Sequence, residues 1–175
     1  TALNDVSETL AYKLALGGAT EDQHKEAMAK HFIDNMENGV LYILGPGTTI
    51  KALADRLGIS KTLLGVDLVA DRRLLAKDVD EDAILRALPQ YSKAKIVVSP
   101  IGAQGFIFGR GNQQISHRVI EMAGIRSIVV MATPNKLRET RVLRVDTGDP
   151  ELDERLRGYI RVIIGYALQQ VAPVA

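Results

Sequence analysis

The chain has 175 residues, of which 46% are hydrophobic and 25% are charged, and it contains no cysteine. This length suits one domain with a sizeable core, and the absence of cysteine excludes disulfide frameworks, zinc ribbons and thiol nucleophiles. No apolar run reaches the roughly 18 residues of a membrane-spanning helix, and a net charge of +1 argues against binding nucleic acid through bulk charge. We therefore expect a soluble, cytoplasmic protein that contacts neither nucleic acid nor membrane.

The first 38 residues have helical patterns. Apolar residues recur at helical spacing over residues 4–16 and 20–37. Thr20 and Gln23 have the spacing of a capping box, which marks the start of the second helix. We interpret residues 1–38 as a helical lead-in that packs on the domain that follows.

From residue 39 to residue 175, short apolar strands alternate with amphipathic helices. Strands are predicted at residues 40–44, 62–69, 96–98, 127–131, 142–145 and 159–165, and helices at 49–57, 80–88, 115–123 and 149–156. The last stretch, to residue 174, suits a strand or a helix, and its β-branched neighbours favour a strand or hairpin. The alternation predicts an α/β fold with a mainly parallel sheet, helices on both faces, a Rossmann-like arrangement and a short β/α tail.

The first candidate site is the sequence Gly45-Pro-Gly-Thr-Thr49, between a strand and a helix. Free backbone N–H groups at a helix start attract anions, and glycine lets a phosphate approach closely. The loop is too short for a Walker A motif, and no Gly-Lys-Ser/Thr follows. The alternative is a tight structural turn with a threonine as helix cap.

The second candidate site is the segment 99–114, which joins a strand to a helix and contains four glycines. A loop this long and glycine-rich between two core elements is typical of a functional loop. Arg110 offers a bidentate fork for phosphate, and the amides of Asn112, Gln113 and Gln114 suit sugar hydroxyls or a base edge. The segment lies in a basic region, because residues 92–144 carry nine Lys or Arg and two acidic residues.

Two further charged residues follow predicted strands. Asp67 is placed at the carboxyl end of the 62–69 strand, where ligands bind in open parallel sheets, and it is the candidate catalytic residue, as a base. The alternatives are that it binds a ligand hydroxyl, holds a metal or caps the next segment. Lys136 follows the 127–131 strand and its Thr133-Pro-Asn loop, as a cation for phosphate. The predicted ligand-binding residues are Gly45, Gly47, Thr48, Thr49, Gly102, Gly105, Gly109, Arg110, Gly111, Asn112, Gln113 and Lys136. No protein-bound metal site is predicted, because the histidines have no ligand spacing with carboxylates.

Three ordered motifs carry a resemblance to a known family. They are Tyr42-Ile-Leu-Gly-Pro-Gly-Thr-Thr49, Thr62-Leu-Leu-Gly-Val-Asp67 and Gly105-Phe-Ile-Phe-Gly-Arg-Gly-Asn-Gln-Gln114. They resemble the carboxyl-terminal half of the ATP-NAD kinase-like family, which includes the acetoin-catabolism protein X group. The similarity continues through residues 143–149 and 158–166.

The resemblance implies phosphoryl transfer from ATP or polyphosphate to NAD, with Mg²⁺ bridging the phosphates. NAD kinases carry a Gly-Gly-Asp-Gly-Thr loop in an amino-terminal domain, and this sequence has no such loop. The chain begins at Thr1 rather than Met, so the resemblance implies the second half of a two-domain protein. The expected partners are a phosphorylated small molecule, that amino-terminal kinase domain and further copies of the chain.

A looser similarity gives a rival ligand. A Gly-Thr-Thr turn after the first strand, a later Asp and a glycine loop before a helix and a Lys look like the ribose-5-phosphate isomerase group. Two alternatives therefore stay open at this point: a sugar-phosphate isomerase-like enzyme that uses Asp67 to shuttle a proton, and a non-catalytic domain that senses a phosphorylated metabolite.

Overall fold

The computed structural model describes residues 20–175. The helix predicted at 4–16 lies outside this range. The described chain forms a seven-stranded sheet covered by helices on both faces, together with a two-stranded sheet. The expected α/β fold with a mainly parallel sheet is confirmed.

The helices and strands alternate along the chain. The helices are α1 (Glu21–Asp34), α2 (Thr48–Arg56), α3 (Glu81–Ala87), α4 (His117–Ala123), α5 (Pro134–Thr140) and α6 (Pro150–Leu156). The strands are β1 (Val40–Leu44), β2 (Asp67–Ala70), β3 (Arg73–Ala76), β4 (Lys93–Val98), β5 (Phe106–Phe108), β6 (Ile128–Met131), β7 (Arg144–Val145), β8 (Gly158–Gly165) and β9 (Leu168–Val174).

The large sheet has the strand order β3-β2-β1-β4-β6-β8-β9. Strands β1, β4, β6 and β8 are parallel, while the β2–β3 hairpin and β9 add antiparallel edges. The tail is thus the hairpin that the β-branched residues favoured. The small sheet pairs β5 with β7 in parallel.

Two apolar cores lie on opposite faces of the large sheet. Alternate residues of β1 divide between them: Leu41 and Ile43 face one core, and Val40, Tyr42 and Leu44 the other. Helices α1 and α2 cover the second core, and α3 to α6 cover the first. Every residue of β1 is buried, which is why this strand reads as a continuous apolar run.

One predicted strand starts at the wrong residue. The 62–69 strand begins only at Asp67, because the preceding residues form a loop in which Leu63 and Leu64 are exposed. The strand runs antiparallel to β1, with Leu44 opposite Asp67. Asp67 is therefore the first residue of its strand and not the last. It still lies at the edge where β1 ends, because an antiparallel strand begins where its neighbour stops.

A candidate ligand cleft at the carboxyl edge of the sheet

A cleft of about 490 Å³ lies where β1, β4 and β6 end. In open α/β sheets, ligands bind at this edge, in the crevice between two neighbouring strands whose connections run in opposite directions along the sheet. Here β1 has β2 on one side and β4 on the other. The lining residues are Glu21, Lys25, Pro46, Gly47, Thr48, Thr49, Leu64, Ser99, Pro100, Ile101, Gly102, Gly111, Thr133 and Lys136.

The start of α2 forms one wall of the cleft. The residue that caps this helix is Gly47, at φ 113°, and no side chain caps the helix. The alternative of a threonine cap is therefore wrong. Without a capping side chain, the N–H groups of the first turn keep their capacity to donate, and the helix dipole adds partial positive charge. The Gly47 N–H itself donates to the Leu63 carbonyl at 2.9 Å.

Two largely buried residues of the cleft lining, Thr49 and Ser99, carry hydroxyl groups. Thr49 is 7% exposed and Ser99 is 8% exposed. Neither hydroxyl has a hydrogen-bond partner within residues 20–175. Because every side-chain nitrogen or oxygen atom sealed from solvent there has a partner, both hydroxyls reach the solvent of the cleft. The third buried hydroxyl of the lining, that of Thr133, accepts from the Lys136 N–H at 3.2 Å and caps α5. The first two therefore remain available to a ligand.

Two lysines bring positive charge to the cleft. Lys136 lies in the first turn of α5 rather than in a loop, and its Nζ donates to the Gly102 carbonyl at 2.9 Å. This bond joins α5 to the second glycine loop. Lys25 of α1 was missed by sequence reasoning. The capping box at Thr20 predicts where its helix begins, but nothing in the sequence indicates that this helix start adjoins the cleft.

The second glycine loop contributes less to the lining than the sequence predicts. Gly102 and Gly111 line the cleft, whereas Arg110 and Gln113 are exposed and do not. The Arg110 guanidinium lies over the Phe106 ring, 4.6 Å from its centroid, which is a cation–π contact. Ligand binding by Arg110 and Gln113 stays a prediction.

The other predicted residues of this segment hold the loop in shape. Asn112 is fully buried; its Oδ1 accepts from the Gly109 N–H at 3.2 Å, and its Nδ2 donates to the Ile107 carbonyl at 2.9 Å. Gly109 has φ 95°, and a Cβ there would lie 2.0 Å from the Asp146 carbonyl oxygen. Gly105 is similarly close to the Val142 carbonyl, at 3.0 Å. The backbones of the loop and of the segment around β7 pack so closely that glycine is required at these two positions.

Gly45 also has a packing role. Its N–H donates to the Val97 carbonyl at 2.8 Å, and a Cβ would lie 3.1 Å from that same oxygen. The residue brings the end of β1 close to β4 and does not line the cleft. Of the first loop, the cleft therefore includes Gly47, Thr48 and Thr49 from the predicted set.

Asp67 has no exposed surface. Its Oδ2 accepts from the Lys61 Nζ at 2.7 Å and from the Thr62 hydroxyl at 2.8 Å, while its Oδ1 accepts from the Asp78 N–H at 2.8 Å. The Lys61 side chain is equally buried, and this burial lowers the pKa of Lys61 while Asp67 acts in the opposite direction. A carboxylate enclosed in this way does not reach a ligand, so the geometry supports a structural role. A catalytic role for Asp67 stays an untested prediction.

The described residues do not build a magnesium site. Within residues 20–175, no three His, Cys, Asp or Glu side chains come together in a way that could hold a metal ion, and Glu21 is the only carboxylate in the cleft lining. Because Mg²⁺ needs oxygen ligands in octahedral arrangement, any such ion would depend on ligand phosphates or on residues beyond this set.

The open α/β sheet and the crevice at its carboxyl edge define a domain of the doubly wound class. The family model of the ATP-NAD kinase C-terminal domain matches residues 37–174, and the chain therefore belongs to this family. The match does not distinguish the acetoin-catabolism group within it. No curated protein and no solved structure matches the chain significantly.

Proposed function

We propose that the domain binds the phosphate groups of NAD or ATP, the substrates that the family implies, in the cleft at the carboxyl edge of the sheet. The observation that carries this proposal is the start of α2, which no side chain caps, together with the solvent-open hydroxyls of Thr49 and Ser99, which have no partner among the described residues. Hydroxyls that are open to the cleft can donate to the acceptor atoms of a ligand without breaking a hydrogen bond within the protein.

The charges of the cleft suit an anion. The first turn of α2 presents N–H groups and the positive end of the helix dipole to a phosphate. Lys25 and Lys136 also line the cleft, and Glu21 is the single acid of the lining within residues 20–175. The Lys136 ammonium uses one of its three donors on Gly102, which leaves two for phosphate oxygens. Electrostatic attraction and directed donors thus act on the same ligand group.

Thr49→Val tests this directly. Valine keeps the shape of threonine and removes its donor, so the affinity for NAD or ATP should fall roughly 10-fold to 100-fold, as expected for a hydrogen bond to a charged group. Ser99→Ala should act in the same direction. Isothermal titration calorimetry gives both dissociation constants.

The matched control is Ser92→Ala, in a groove of about 640 Å³ at the opposite edge of the sheet. It should leave the affinity unchanged. Binding that is insensitive to both Thr49→Val and Ser99→Ala would contradict the proposal. Titration with polyphosphate in place of ATP tests which phosphoryl donor binds. Self-association of the chain and its location in the cytoplasm stay predictions.

A further inference from the structure

The loop of residues 61–66, between α2 and β2, presents an apolar side chain at the cleft. Leu64 lines the cleft and is 78% exposed, and its neighbour Leu63 is 43% exposed. Isolated exposed leucines are common on protein surfaces and need no explanation. Leu64 differs because hydrogen bonds hold the backbone on both sides of it.

The hydrogen bonds that hold this backbone come from two sides. From inside the fold, the buried Lys61 Nζ donates to the Gly65 carbonyl at 2.9 Å and to the Thr62 carbonyl at 3.0 Å. From the cleft side, the Gly47 N–H donates to the Leu63 carbonyl at 2.9 Å. The residues before and after Leu64 are therefore each held by a hydrogen bond. The exposure of Leu64 follows from a fixed backbone, not from a loose loop.

Leu64 is one of several apolar residues in the cleft lining. Pro46, Pro100 and Ile101 line the same space as the hydroxyls and lysines described above. An inorganic phosphate chain has no apolar face for such a wall, and the C–H groups of a sugar phosphate offer a smaller apolar surface than a nucleotide ring does. A ligand with a flat ring and a phosphate group matches both parts, because its ring removes apolar surface from water while its phosphate meets the donors.

We propose that Leu64 is a specificity-determining residue that contacts the ring of a nucleotide held by its phosphates in this cleft, with the Lys61–Asp67 ion pair as the positioning element beneath it. The inference rests on the proposed function, since it requires that the cleft binds the phosphate groups. It adds the residue that separates ring-bearing ligands from ring-free ones.

The test compares NAD and ATP with inorganic tripolyphosphate, which keeps the phosphate chain and lacks a ring. Leu64→Ser should weaken NAD or ATP roughly fivefold to tenfold, the loss expected when apolar contact with one leucine is removed. Tripolyphosphate affinity should not change. Leu75→Ser, on the outer strand β3 where the leucine is 47% exposed, is the matched control and should alter neither. Leu64→Met should retain the preference, because it conserves apolar volume.

The outcomes separate the two proposals. Unchanged nucleotide affinity in Leu64→Ser, or an equal loss for tripolyphosphate, overturns the role of Leu64 and leaves phosphate binding intact. Equal affinity of the wild-type protein for tripolyphosphate and ATP would also overturn the role of Leu64 and leave phosphate binding intact. Wild-type protein that binds neither NAD, ATP nor tripolyphosphate overturns both proposals.

Discussion

Lys61 and Asp67 form an ion pair with no exposed side-chain surface. Removing one partner of such a pair leaves a buried charge without compensation, which typically costs about 3–5 kcal/mol. Lys61→Met should therefore lower the free energy of unfolding by about that amount in urea denaturation. Lys51→Met removes an exposed pair of the same type, with Asp55 on α2, and should change it by only about 0.5 kcal/mol or less. Equal effects of the two substitutions would contradict the structural role of the buried pair.

At the scale of elements, α1 is joined to the turn between β8 and β9 through His31. Its Nδ1 accepts from the Ala167 N–H at 3.0 Å, and its ring packs edge-on against Tyr166. Asp34 accepts from the Tyr166 hydroxyl at 2.7 Å, and Lys30 lies over the same ring. Burial lowers the pKa of His31, and the negative charge of Asp34 offsets part of this effect.

This contact predicts a pH dependence of stability. A protonated imidazole cannot accept from Ala167, so the folded state binds a proton less readily than the unfolded chain. The contribution of His31 is then complete above the ordinary histidine pKa of about 6.5, and it is lost as the pH falls below that value. Thermal melts between pH 5 and 7.5 should show this loss. His31→Ala should reduce the slope, whereas His117→Ala on α4 should leave it; an unchanged slope in His31→Ala would refute the assignment.

The elements differ in how far the sequence predicts them. Strand β1 and its neighbour β4 were predicted because strands buried on both faces give continuous apolar runs. The same rule failed at Leu63 and Leu64, which are exposed in the loop before β2, where Leu64 lines the cleft. Hairpin strand β3 was missed because its exposed and half-buried residues give a weak pattern over only four positions.

The candidate site was predictable in part for a similar reason. Gly47, Thr48 and Thr49 were found because a glycine turn between a strand and a helix is a local signal. Lys25 and Leu64 reach the cleft only through the packing of distant elements, which leaves no local pattern. The glycine-rich segment that holds Gly105 and Gly109 was recognised as unusual. The carbonyl oxygens that leave no room for a Cβ at these positions belong to Val142 and Asp146, which are distant in the sequence.

At the scale of the whole molecule, binding and turnover are separate properties. These 175 residues do not contain the Gly-Gly-Asp-Gly-Thr loop that NAD kinases carry in an amino-terminal domain, and Asp67 is enclosed. We therefore expect the 175-residue chain alone to bind NAD or ATP without forming NADP. An assay coupled to an NADP-dependent dehydrogenase measures this, with ATP and polyphosphate each supplied as donor. NADP formation by the chain alone would show that no amino-terminal kinase domain is needed.

The pairing of β5 with β7 has a consequence for the order in which the protein takes shape during its synthesis. The second glycine loop is pinned by partners from residues 144–146, including the Asp146 N–H, which donates to the Phe108 carbonyl at 3.1 Å. Those partners leave the ribosome well after the loop itself. The nascent chain can therefore complete β1, α2 and β4 while this wall of the cleft is still unformed, so the cleft is finished only after residues 144–146 have been synthesised.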